Sequence, residues 1–299
     1  MEWVIFALLS SMFGGVANLV DKYVISGLKV PPYAYLIAGW LLGSLVVLFM
    51  LPISTITAVP PAVLARSVII GILFIFGVTF YLKALEIEEI SRISTLWLLV
   101  PVYVIPMSFF LGERLAVKSY AGIALLLIGG FFVSLKHKGS GVRLGKAFYL
   151  LLAATFFGAL FNIVMKMNLD EGVPVVDNYI LLRLGTIIAA LALLLVPEYR
   201  RQTVSLVKSR DRKAYFAIGL VALLIGPVIW LTLNMAAQTG PISAISAFTV
   251  FVPAFVLLYI LGFRKFLPQA LKENLSFSIL IQKAAALIIM TAGVLLIYL

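Results

Sequence analysis

Ten blocks of about twenty consecutive apolar residues, separated by short polar stretches, run through this chain. They cover residues 3–25, 32–51, 64–85, 93–111, 117–135, 146–167, 177–196, 213–237, 242–261 and 278–298. A helix needs roughly 20 apolar residues to cross a hydrocarbon core of about 30 Å, so each block has the length of one transmembrane helix. A membrane β-barrel is excluded, because its strands are weakly alternating segments of about ten residues. Of the 299 residues, 63% are hydrophobic and only 12% charged, too few to clothe a water-soluble surface. The expected fold class is an all-α membrane protein with ten transmembrane helices. Glu2 precedes the first block, which has no basic leader and no small-residue cleavage site, so that block is expected to be a retained span rather than a cleaved signal.

The net charge of +11 does not point to nucleic acid. Its basic residues gather in loops, chiefly "KHKGSGVRLGK" (136–146) and "YRRQTVSLVKSRDRK" (199–213), and no basic domain interleaved with aromatics is long enough to grip a strand. In a membrane protein such clustering is the positive-inside signal. The loops after the first, third, fifth, seventh and ninth blocks hold most of the Lys and Arg, whereas the opposite ends hold Arg66, Arg114 and Lys118. On charge alone, both termini are expected outside. The chain has no Cys, and its one His, His137, lies in the central loop, so no thiolate, zinc or nucleophile–His chemistry is available. No cofactor is expected.

The chain also repeats itself. "FGGVANLVDK" (13–22) returns as "FGALFNIVMK" (157–166) at an offset of 144, and Tyr35 falls on Tyr179 at the same offset. Residues 81–115 lie over 231–265 at an offset of 150, pairing Gly112 with Gly262 and Arg114 with Arg264. An odd number of helices per copy makes the second copy enter the membrane from the opposite side. The expected architecture is therefore two inverted five-helix repeats, 1–138 and 139–299, a recurring plan of secondary transporters with the site between the halves.

The paired F-G-x-x-x-N-x-x-x-K motifs, "YLKALE" leading into "LWLLVPVYVIPMSFFLGERL", and the following "YAGIALLLIGGFFV" resemble the EamA-type exporters of the drug/metabolite transporter superfamily. The resemblance runs in order through both halves. In the second half the Glu of "GE" is replaced by Phe263, which suggests a helix-end role for Glu113. The resemblance implies a ten-helix basket that exports small polar metabolites or amino acids by alternating access, with both termini in the cytoplasm, opposite to the charge count.

Several residues are candidates for the solute path. Gly14, Asn18 and Lys22 are spaced i, i+4, i+8 and share one helix face, as do Gly158, Asn162 and Lys166. A carboxamide in hydrocarbon needs a partner, so these stripes should face protein or water; bonding to a neighbouring helix and snorkelling of Lys are the alternatives to a pathway role. Arg183 lies inside the seventh block, where it must snorkel, pair with a group such as Asp177, or serve a function. Trp97 and Tyr103, and Trp230, Asn234 and Gln238 at i, i+4, i+8, fall in spans that the resemblance places around the cavity. Packing is the alternative for such aromatic stripes. After Gly240-Pro241, a helix N-terminus bearing Ser243, Ser246 and Thr249 offers N–H groups to a carboxylate. The acidic run "EIEEISR" (86–92) reads as a solvated helix end, and all twelve acidic residues fall near block ends or in loops, which argues against a proton-for-cation exporter.

The expected function is a secondary transporter, exporter or exchanger, of amino acids or other zwitterionic or anionic solutes. A phosphate-sugar or nucleotide-sugar exchanger is the alternative, and an intramembrane enzyme the remote one. The expected partners are a small-molecule solute and the lipid bilayer of the cell membrane, with no nucleic acid; monomer and homodimer both stay open.

Overall fold

The structure is a computed structural model that describes residues 2–56, 59–87, 99–134, 146–263, 265, 268 and 277–298, and its regular elements are all helical. Helices α1 (Glu2–Gly27), α2 (Pro32–Ile53), α3 (Pro61–Ile87), α4 (Leu99–Phe110) and α5 (Val117–Ser134) form the first half. The second holds α6 (Lys146–Asp170), α7 (Val175–Leu193), α8 (Pro197–Ser209), α9 (Arg212–Thr239), α10 (Ile242–Gly262) and α11 (Phe277–Tyr298). Seven of them, α1, α2, α3, α6, α7, α9 and α10, are long and apolar enough to cross a membrane, and α4, α5 and α11 are shorter apolar helices. Each lies on one of the ten apolar blocks. Their outward faces carry bare hydrocarbon: Phe49 is 83% exposed and Ile288 72%, which suits lipid rather than water.

Helix ends follow the local chemistry. Pro32, Pro61 and Pro197 open α2, α3 and α8, where a missing N–H costs nothing. Gly172, at φ 87°, closes α6: the Val173 N–H reaches back to the Asn168 carbonyl, a turn that a Cβ would strain. One expectation needs correction. The basic stretch 199–213 is not simply a loop, since Pro197–Ser209 is an amphipathic helix that buries Leu206 and exposes Arg201. Its apolar residues are too few for a span, and its period is that of a helix lying along a surface.

Neighbouring helices approach closely at glycines. A Cβ added to Gly122 of α5 would lie 2.6 Å from the Gly293 carbonyl oxygen of α11, and one added to Gly185 of α7 would lie 2.2 Å from the Val68 carbonyl oxygen of α3. In lipid, where apolar burial gives little reason for helices to associate, such backbone contact supplies the packing. The principal helix contacts are α1 with α9 and α10, α6 with α3 and α4, α2 and α3 with α7, and α5 with α11. Where α2, α3, α6 and α9 meet, Trp40, Phe74, Phe161 and Trp230 form an aromatic cluster; Phe74 lies 4.6 Å from Phe161 and 5.5 Å from Trp230 between centroids.

Candidate functional site

Beside that aromatic cluster is a chamber of about 10 Å³, room for about one water. Trp40, Phe161 and Trp230 supply its aromatic walls, while Tyr179, Arg183, Thr186 and Asn234 supply polar groups. Arg183 is only 8% exposed. The sequence offered snorkelling or pairing with Asp177, and the structure shows neither. Asp177 accepts hydrogen bonds from the Thr55 N–H at 3.0 Å and from the Thr55 hydroxyl. The guanidinium instead lies 4.1 Å from the centre of the Trp40 ring, with its Nε unpartnered. Gly43 makes the space: a Cβ there would stand 1.8 Å from an Arg183 terminal nitrogen. One turn before Arg183 on α7, the buried Tyr179 hydroxyl is also without a partner. A cation–π contact returns about 2 kcal/mol, whereas an unpaired intramembrane Arg costs ~3 to ~15 kcal/mol, so the positive charge stays undercompensated.

A larger vestibule of about 320 Å³ lies between the ends of α4, α6 and α9 and the start of α10. It is at the face that carries the N-terminus, because a Cβ on Gly240 would lie 2.5 Å from the Trp3 ring. Lys166 lines it, paired with Asp170 at 2.8 Å and donating to the Ala237 carbonyl at 2.9 Å. Glu113 lines it too. Its carboxylate accepts the Ile242 N–H at 2.9 Å, the Ser243 N–H at 3.3 Å and the Ser243 hydroxyl. The helix N-terminus that the sequence offered to a solute carboxylate is therefore occupied by Glu113, an internal cap.

A chain of side-chain hydrogen bonds starts at this face and ends at the chamber. Arg66 binds Glu171 through two nitrogens at 2.6 Å each, which holds the Glu171 carboxyl below the usual carboxylate range, and Arg66 also reaches Asn168 at 2.7 Å. Asn168 donates to Ser67 and to Asn178, both at 2.8 Å. Asn178 donates to the Met165 carbonyl at 3.0 Å and to Asn234 at 2.8 Å, and Asn234 donates to the Trp230 carbonyl at 2.8 Å. Fully buried, these carboxamides satisfy one another, as a dry interior requires.

The predicted residues thus divide. Arg183, Trp230 and Asn234 meet in the chamber, and Lys166 and Gln238 in the vestibule, so the Trp230–Asn234–Gln238 stripe runs from one space to the other. Asn162 is buried beside the chamber residue Phe161, and Asn18 and Lys22 are half-buried on α1; none of the three lines either space. Tyr103 packs edge-on against Phe156 at 5.6 Å, a packing role. Trp97 and most of the acidic run, residues 88–92, lie outside the described residues. At the end of α1, Asp21 accepts a hydrogen bond from Tyr35. Sequence reasoning missed Trp40, Gly43, Asn168 and Asn178, and it noted Tyr179 only as a repeat match. Two carboxamides flanking "LDEGVPVVD" in apolar surroundings were the available signal for the network; Gly43 left none.

A solved crystal structure described only as "Crystal structure of protein" is 17% identical to this chain and superposes with a TM-score of 0.64, covering 96% of this chain and 95% of that one, a likeness of fold. No curated protein matches the chain. The model of the EamA-like transporter family matches residues 1–135, the segment that contains α1 to α5. That match makes residues 1–135 similar to the EamA-like transporter family, and the seven helices long and apolar enough to cross a membrane are those of a multi-pass membrane protein.

Proposed function

We propose that this protein is a secondary transporter of the cell membrane that moves small zwitterionic or anionic solutes, amino acids first among them, by alternating access between two inverted five-helix repeats, 1–138 and 139–299. The observation that carries the reading is the packing pattern. Exchanging α1 with α6, α2 with α7, α3 with α9, α4 with α10 and α5 with α11 turns each principal contact into another one present: α1 on α9 becomes α6 on α3, and α1 on α10 becomes α6 on α4. The F-G-x-x-x-N-x-x-x-K motif sits at one of these paired crossings, with Gly14 against Val252 and Gly158 against Val100. A chamber with polar groups lies between the halves, as in transporters built from inverted repeats. Among the described residues a single cation, Arg183, lines that chamber, which favours amino acids and monocarboxylates over the phosphate-sugar exchanger, a function that calls for several basic groups.

The solute enters through the vestibule, where Lys166 and Gln238 meet it, and reaches Trp230, Asn234 and Arg183 when the helices part. Asn18, Lys22 and Asn162 line the path in the alternate state. Counterflow of labelled amino acids in proteoliposomes tests this. Asn18→Leu and Asn162→Leu should each lower uptake several-fold while the purified proteins keep the melting temperature of the parent, since Leu keeps the branched shape of Asn and leaves no cavity. Full uptake by both variants would reduce the duplicated motif to a packing element.

A further inference from the structure

The geometry points to a monocarboxylate site built from Arg183, Tyr179 and Gly43. We propose that Arg183 and the Tyr179 hydroxyl clamp one carboxylate of a compact, flat apolar solute whose body rests against Trp40, Phe161 and Trp230; this rests on the transport reading above. Three independent features converge. Arg183 is 8% exposed and Tyr179 3%, and each has a polar atom with no partner. They stand one turn apart on α7 and line the same chamber. Gly43, on the facing helix α2, leaves the room that the guanidinium occupies, since a Cβ there would lie 1.8 Å from its terminal nitrogen and 3.2 Å from the Ala222 carbonyl oxygen.

The ligand's charge follows from the lining. Among the described residues the chamber presents one cation and no carboxylate, so one negative charge is complemented and a second is not. A guanidinium offers parallel N–H groups that match the two oxygens of a carboxylate, and the Tyr179 O–H supplies a third donor. Three aromatic walls favour an apolar body over a sugar. At about 10 Å³ the chamber is contracted, with Arg183 folded onto the Trp40 face; the ligand carboxylate takes over the guanidinium from Trp40 as the helices part.

The test is calorimetric binding to the purified full chain in detergent, with benzoate, benzamide and phenyl phosphate as probes, alongside proteoliposome uptake. Benzoate should bind at least 10-fold more tightly than either other probe. Arg183→Gln should erase the preference for acid over amide, and Arg183→Lys should restore only part of it. Tyr179→Phe should weaken benzoate at least about tenfold, as the loss of one hydrogen bond to a charged group predicts. Gly43→Ala keeps Arg183 but displaces it, and should lower the preference for acid over amide; it covers the case in which Arg183→Gln fails to fold. The proposal is overturned if benzoate does not bind the parent protein, if benzamide binds as tightly, or if Arg183→Gln and Gly43→Ala both keep the acid preference. Arg183-dependent binding without uptake of any solute would leave the site standing and reject the transport reading. Uptake of amino acids indifferent to Arg183 would do the reverse.

Discussion

Glu113 shows how one side chain near a helix end can organise a helix remote in sequence. It sits just beyond α4, yet its carboxylate receives two N–H groups and a hydroxyl at the start of α10. Ile242 and Ser243 would otherwise leave these donors unpaired next to the apolar core. Glu113→Ala should therefore destabilise the protein by about 1–3 kcal/mol, and Glu113→Gln by less, because the amide oxygen still accepts. Thermal unfolding in detergent reads this directly; an unchanged midpoint for Glu113→Ala would show that water replaces the cap. The helix-end role was legible from Phe263 standing at the matching position of the second half. The partner was not, being 129 residues away along the chain.

Between elements, the two halves are unequal in a way that follows their packing. The buried network Ser67, Asn168, Asn178 and Asn234 ties α3, α6, α7 and α9 together. Shifted by the repeat offsets of 144 and 150, these positions become Ala217, Val24, Ala34 and Ala84, all buried and apolar. Beside three of them, Val24, Ala34 and Ala217, which pack in one apolar cluster, α1 ends in a π-helical turn, Tyr23–Gly27, and α9 is interrupted by another, Val221–Ile225, whereas the counterpart 71–75 in α3 is regular α-helix. Directional hydrogen bonds resist sliding and apolar contacts do not, and π turns leave a helix with poorer internal bonding. Amide hydrogen exchange should accordingly be about 10-fold faster at Val221–Ile225 than at residues 71–75. Asn178→Val, which leaves Asn168 and Asn234 short of a partner, should bring the two rates together. Equal exchange in the parent would contradict the asymmetry.

At the scale of the molecule, α5 and α11 run antiparallel, with Gly122 beside Gly293 and Gly129 beside Met290, so the C-terminal end of α11 lies at the face where α5 begins. The N-terminus shares this face through Trp3 and Gly240. The basic helix α8, with Arg200, Arg201 and Lys208, lies between the end of α7 and the start of α9, at the other face. The positive-inside rule predicts that α8 is cytoplasmic and both termini outside. A cytoplasm-only reporter fused after Leu299 should stay dark. If it lights, the orientation implied by the family resemblance holds instead, and the vestibule opens to the cytoplasm.

The sequence by itself determined where the helices are and that the chain lives in lipid, because a hydrocarbon solvent imposes its demand residue by residue and every span must be apolar along its own length. It also carries the matched residue types at constant offsets on which the proposed duplication rests. What surrounds each polar side chain was decided only by tertiary structure. Hydropathy is nearly uniform around these helices, so nothing local marks the face that meets a neighbour. Trp40 and Gly43 became the cradle of Arg183 because α2 packs on α7, and Asp177, six residues from Arg183, was drawn instead to Thr55. The chamber exists where four helices from both halves converge, and convergence is a property of the packed molecule rather than of any one segment.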